Sequence, residues 1–164
     1  MNLKELYLAG INFESFIGTG TKTERERFPK NYSRVEITPE EIEKIKKIDK
    51  KINLLVSGEV WCTDFQLNVT ALKKICELNN NLEISIITKG RGEKYLKPIL
   101  ELEEFRVPVI VPLNENFEIS GKIFIERPTK IKKMVFEEIK MEYLKGKYLR
   151  DTVKELIEII NISC

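Results

Sequence analysis

Hydrophobic and polar positions follow two rhythms along the chain, and their order predicts the elements. Leu3, Leu6, Tyr7, Ile11, Phe13, Phe16 and Ile17 recur at roughly helical spacing, weakened at Gly10 and stopped by Gly18-Thr19-Gly20-Thr21. A second short helix is expected over residues 22–32, interrupted at Pro29. Residues 1–37 therefore read as a mostly helical extension, packing its apolar side on the rest. Thr38-Pro39-Glu40-Glu41 is a strong helix start: Thr38 caps, Pro39 suits the first position and Glu41 completes a capping box. Ile42, Ile45 and Ile48 form its apolar stripe to about residue 50, and Glu40, Glu41 and Glu43 read as a solvated face. A strand over residues 52–57 and a helix from Cys62 to about residue 78 come next. Phe65, Val69, Leu72, Ile75 and Cys76 face inward on that helix, and Asn79-Asn80-Asn81 ends it.

Leu82 to Thr88 is a β-branched run and predicts a strand parallel to the first, joined to it by a right-handed crossover. A helix is expected over about residues 92–104, disturbed near Pro98. Residues 107–113 and 117–126 flank Asn114-Glu115-Asn116 and predict an antiparallel hairpin, with Gly121 marking a bulge. Two amphipathic helices, over residues 130–144 and 151–161, complete the chain. The pattern alone implies an α/β fold with a four-stranded mixed sheet between helices; it leaves the strand order open.

At 164 residues the chain reads as one domain with room for a full core. Charged residues make up 33% yet leave a formal net charge of +2, which gives no argument for a nucleic-acid partner. The short run Lys130-Ile131-Lys132-Lys133 reads as a solvated helix face. No apolar run approaches the ~20 residues of a membrane helix, and Met1-Asn2-Leu3-Lys4-Glu5 lacks the apolar block of a signal peptide, so a cytoplasmic location is expected. Three cysteines fit a reducing compartment. The absence of histidine excludes a Cys-His or Ser-His pair and removes the commonest zinc ligand, so neither a metal nor a cofactor is expected. Lys89-Gly90-Arg91-Gly92 is too short for a phosphate-binding glycine loop.

The candidate chemistry sits between the first strand and its helix. A strand ending in Ser57-Gly58 and followed by Glu59-Val60-Trp61-Cys62 puts Cys62 in the first turn of a helix. Unpaired backbone N–H groups and the positive end of the helix dipole favour a thiolate there. A buried, inert thiol is the alternative. Asp64 suits the helix start but opposes a neighbouring thiolate. Cys76 lies about 21 Å further along the same helix at ~1.5 Å per residue, which excludes a disulfide with Cys62 and leaves Cys76 to the core. Cys164 ends the chain.

Trp61-Cys62-Thr63-Asp64-Phe65 resembles the Trp-Cys-x-x-Cys signature of the thioredoxin-like superfamily, and most closely its Trp-Cys-x-Asp-Cys form, with Phe65 in place of the second cysteine. The resemblance spans about residues 52–134 and implies a thioredoxin-like three-layer fold, strand order 2-1-3-4, with helical extensions at 1–37 and 135–164 around a core at 38–134. It also implies that Pro108 matches the family's usually cis proline beside the active-site cysteine, where the backbone of Val107 pairs with an extended substrate. Ordinary thioredoxins carry a buried acid six residues before the first cysteine; here that position is Val56.

Two functions follow as expectations. One is a monothiol thiol-disulfide oxidoreductase with Cys62 as nucleophile, with weak or no dithiol activity because Phe65 cannot resolve a mixed disulfide. Its substrate would be a protein or a low-molecular-weight thiol or disulfide, met by Trp61, Thr63, Asp64, Phe65, Val107 and Pro108. The other is a non-enzymatic module binding a peptide or partner in the same groove. The fold hosts both.

Overall fold

Strand β1 (Ile52–Gly58) is buried along its whole length, because both faces of the sheet it centres are covered. The structure is a computed structural model and describes residues 1–163. β1 pairs in parallel with β2 (Leu82–Thr88), from Ile52 opposite Leu82 to Gly58 opposite Thr88. On its other side β1 runs antiparallel to β3 (Val109–Leu113), which pairs antiparallel with the two-residue β4 (Phe124–Ile125). The order is β2-β1-β3-β4.

Alternation along β1 sends Leu54 and Val56 to one face and Leu55 to the other. On the Leu54 face lie α2 (Phe13–Ile17), α3 (Lys22–Arg34), α4 (Pro39–Lys46), α5 (Thr63–Cys76) and α10 (Leu149–Ser163), which contribute Phe16, Phe28, Ile45, Phe65, Leu72 and Val153 to its core. The Leu55 face is covered by α1 (Leu3–Ala9) through Leu6 and Tyr7, and by a helical segment after β2 through Leu96. Helix α4 begins as its sequence dictates: Thr38 Oγ1 accepts from the Glu41 amide at 3.2 Å and Glu41 returns the bond to the Thr38 amide at 2.9 Å.

Several boundaries differ from expectation, each for a local reason. Helix α3 runs unbroken through Pro29. Pro29 is on the solvent side, while Phe28 and Asn31, one position before and two after it, are buried against the core. The helix expected at 92–104 instead occupies 89–99, as α6 (Lys89–Arg91), a π turn (Gly92–Leu96) and α7 (Lys97–Ile99). Pro98 lacks an amide proton, and the segment widens just before it: the Lys97 amide bonds to the Gly92 carbonyl. Glu101, at φ 55, then turns the chain out of the helix.

The second hairpin strand shrinks to two residues. Asn114 Oδ1 accepts from the Asn116 and Glu118 amides at 2.8 and 3.0 Å, and the loop it gathers replaces most of that strand. Beyond the two residue pairs of β3 and β4, only a bridge from Leu113 to Ile119 joins the arms among the described residues, and Gly121 lies in this irregular stretch rather than in a strand bulge. The expected helix at 130–144 is split into α8 (Thr129–Lys132) and α9 (Phe136–Leu144). Ile131, inside the basic run, is buried. Nor is Glu41 simply solvated: Arg150 grips it with two bonds of 2.8 and 2.9 Å. Cys164 lies outside the described residues. Among those described, no helix is long and apolar enough to cross a membrane.

Candidate functional site

Cys62 is the N-cap of α5 and is partly exposed, packed where the two cores meet. Its backbone is fixed on both sides. The Cys62 amide donates to the Glu59 carbonyl at 3.2 Å, and its own carbonyl accepts from the Gln66 amide at 3.0 Å. The buried side-chain amide of Gln66 reaches back to the Val60 carbonyl at 2.8 Å and pins the turn that precedes Trp61. Trp61 projects outward, 57% exposed.

The Cys62 thiol points at the chain before β3. It donates to the Val107 carbonyl over 3.8 Å, and the Val107–Pro108 peptide is cis. The Pro108 carbonyl in turn accepts from the Glu126 amide at 2.8 Å, which draws the turn after β4 to the same end of the sheet. Cys62 and the Val107–Pro108 peptide are thereby brought together from two separate loops, with the turn after β4 fixed beside them.

Burial pushes the Cys62 thiol above its ordinary value. The backbone N–H groups of Phe65 and Asp64 act in the opposite direction, as a helix start should, but the charges of Asp64 and Glu126 reinforce burial. The position of a thiolate is present; its electrostatics are not. Cys76 is deep in the core, and burial raises its thiol further.

The remaining motif residues part company. Thr63 is exposed at the first helical position. Phe65 is 0% exposed, its ring 5.4 Å from that of Phe16 and 6.0 Å from that of Phe28, so it supports the turn from beneath and offers nothing to a ligand. Its ring also lies close against Gly58, where any side chain would collide with it.

Asp64 turns inward, 7% exposed. Arg127 Nε and Nη2 donate to its two oxygens at 2.8 and 3.3 Å, and the Tyr143 hydroxyl donates at 2.7 Å. Asn68 extends this network: its amide nitrogen donates to the Asp64 and Glu126 carbonyls at 2.9 and 3.0 Å, and Thr152 donates to its oxygen at 2.8 Å. The Arg127 guanidinium stacks 3.6 Å from the ring of Phe136. Asp64 is thus an anchor tying the start of α5 to the β4–α8 turn and to α9. Sequence reasoning found Asp64 but not Arg127 or Tyr143. Arg127-Pro128 reads only as a strand end, and Tyr143 sits on an ordinary amphipathic stripe.

Among the described residues no cluster of Cys, Asp and Glu is arranged to hold a metal ion. A thioredoxin family model matches residues 10–145, which covers the sheet, the Cys62 turn and the cis proline. The chain belongs to the thioredoxin family. This thioredoxin relative is similar over its whole length to a crystal structure of a Pseudomonas aeruginosa protein of unknown function, at 30% identity and a TM-score of 0.92, covering 100% of this chain and 99% of the other. It is also similar to an HIV epitope scaffold, at 32% identity and a TM-score of 0.90, over 98% of each chain. No curated protein matches it significantly. The matched region includes Cys62 at the start of α5 and Phe65 in the core beneath it.

Proposed function

We propose that this thioredoxin-family protein acts through one thiol, exchanging Cys62 with disulfides without a dithiol cycle. The observation that carries the reading is the Cys62 sulfur, partly exposed beside the Val107 carbonyl and Pro108, with Phe65 sealed in the core where a resolving sulfur would stand. The Cys62 thiolate attacks one sulfur of a disulfide, a new S–S bond forms, and the old one breaks to release a thiolate. An outside thiol then attacks the mixed disulfide, frees Cys62 and leaves as the oxidised partner. Electrons balance because the incoming disulfide is the oxidant and the outside thiol the reductant. The partner is a low-molecular-weight or protein disulfide.

The raised thiol makes this exchange slow at neutral pH, since only the minority thiolate reacts. That same feature favours a second reading, a module that binds an extended peptide in this groove without turnover. Mass spectrometry after incubation with a small disulfide separates the two. The expected result is an adduct mapped to the Cys62 peptide and absent from it in Cys62→Ser, formed faster as pH rises past the ordinary thiol value and removed by an added thiol. No adduct at Cys62 at any pH below unfolding leaves only the binding module.

A further inference from the structure

Immediately beyond Thr63, between α3 and α9, lies a cavity of about 320 Å³ whose walls carry Arg27, Lys30, Arg34 and Lys145 over a floor including Leu67. No acidic side chain lines it. Arg27, Lys30 and Arg34 stand at helical intervals of three and four on α3, so they share one face. Like charges at that spacing repel one another along the helix, and of the three only Arg34 has side-chain hydrogen bonds within the described residues. Among the described residues no carboxylate forms an ion pair with any of these three, while Lys145 has only Glu142 at 3.9 Å.

The groove is also built rather than merely charged. Arg34 is partly buried and held by its donation to the Asn31 side-chain oxygen and the Leu144 carbonyl, both at 3.4 Å. The turn after α9 makes room for it at Gly146, whose φ is 83°; a Cβ there would stand 3.1 Å from Arg34 Cδ. A concave site of this size suits a small ligand rather than a macromolecular surface. Arg27 and Lys30, with no ion pair among the described residues, leave positive charge on the wall that suits an external anion.

We propose that this groove binds the phosphate or carboxylate groups of a low-molecular-weight disulfide and so presents its sulfur to Cys62, one residue from Thr63 in the groove wall. The substrate class rests on the single-thiol exchange proposed above; the anion site itself does not.

Two measurements on the full chain test it. Inorganic pyrophosphate, titrated at low salt and followed by amide shifts in NMR, should bind saturably and perturb α3 around Arg27 to Arg34, with binding lost in Arg27→Glu/Lys30→Glu. Both residues are exposed and unpaired, so that variant should keep the wild-type circular dichroism and melting curve. Second, Cys62 exchange rates are compared for a disulfide bearing carboxylates and for the cationic disulfide cystamine. The anionic-to-cationic rate ratio, which cancels any change in the thiol itself, should fall by about tenfold or more in the variant and in high salt. Absence of saturable pyrophosphate binding, or a rate ratio unmoved by charge reversal, overturns the proposal. If Cys62 reacts with neither disulfide, the exchange reading fails and the substrate role with it, while the pyrophosphate titration still decides whether the groove is an anion site.

Discussion

Replacing Phe65 tests both halves of the account of the Cys62 turn. The ring is fully enclosed, touches Phe16 and Phe28, and fills the space left by the bare backbone of Gly58. Truncating a buried phenylalanine to alanine costs about 3–5 kcal/mol, because the transfer energy is lost and a cavity remains. Phe65→Cys retains one heavy atom more, so its reduced form should lose about 2–4 kcal/mol. For a chain of this length that is a fall in melting temperature of roughly 5–15 °C, at about 2–4 °C per kcal/mol. The assay is urea unfolding under reducing conditions, read as a lower midpoint at an unchanged slope. The second half concerns chemistry. Position 65 follows Cys62 by three residues in the first turn of α5, a spacing that puts side chains about 5–6 Å apart at Cβ and Cα atoms inside disulfide range, so a sulfur introduced there lies within reach of Cys62. Oxidised Phe65→Cys should form that internal disulfide, recover part of the lost stability and gain dithiol reductase turnover absent from the native chain. A reduced variant within about 1 kcal/mol of wild type would refute the supporting role of the ring. Native turnover equal to that of the variant would refute the single-thiol argument.

Other perturbations address the surroundings. Asp64→Ala leaves Arg127 and Tyr143 without their acceptor and should cost about 3 kcal/mol in urea unfolding, with a smaller loss once Arg127→Met is added. Burial works against the Glu41 carboxylate, but the Arg150 fork and the Thr38 amide outweigh it and hold the group below its ordinary range. Its stabilising effect is therefore present above about pH 4.3, the unfolded value, and is lost as pH falls through the folded one; Glu41→Gln should flatten the acid limb of a stability-versus-pH curve. Cys76 moves the other way. Its thiol stays protonated in the fold and ionises in the unfolded chain, so stability should fall as pH rises above about 8.5, less steeply in Cys76→Ala.

How much of this was written in the sequence depends on how local each signal is. The capping box at Thr38, the strand Leu82–Thr88 and the helix after Cys62 are short-range patterns, and they appear where the residues put them. The strand order, which the pattern left open and the resemblance supplied, is the observed one. Less legible were elements decided by distant packing. Pro29 did not break α3 because Phe28 and Asn31 anchor the helix to the core on either side of it. The hairpin fell short because one side chain, Asn114, gathered the backbone bonds of the turn. At the site, Cys62, Trp61 and Pro108 were visible as motif residues. The Arg127–Asp64 link spans 63 positions and leaves no periodic trace. Nor could spacing reveal the cationic groove, since Lys145 joins the α3 face only through the fold.

The N-terminal segment does more than cover a face. Ile11 exchanges two backbone hydrogen bonds with Ile86, at 3.0 and 2.8 Å, along the outer margin of β2. Just before it, Gly10 lies so close to Ser85 that a methyl group would overlap the hydroxyl. A lone bridging residue, flanked by helices on both sides, thus occupies the rim where a stray strand from another molecule would dock. The opposite rim, β4, is two residues long and presents little to copy. Both borders of the sheet are blunted against template-driven self-association. Removing residues 1–12 should therefore expose a sticky border before it disturbs the thiol.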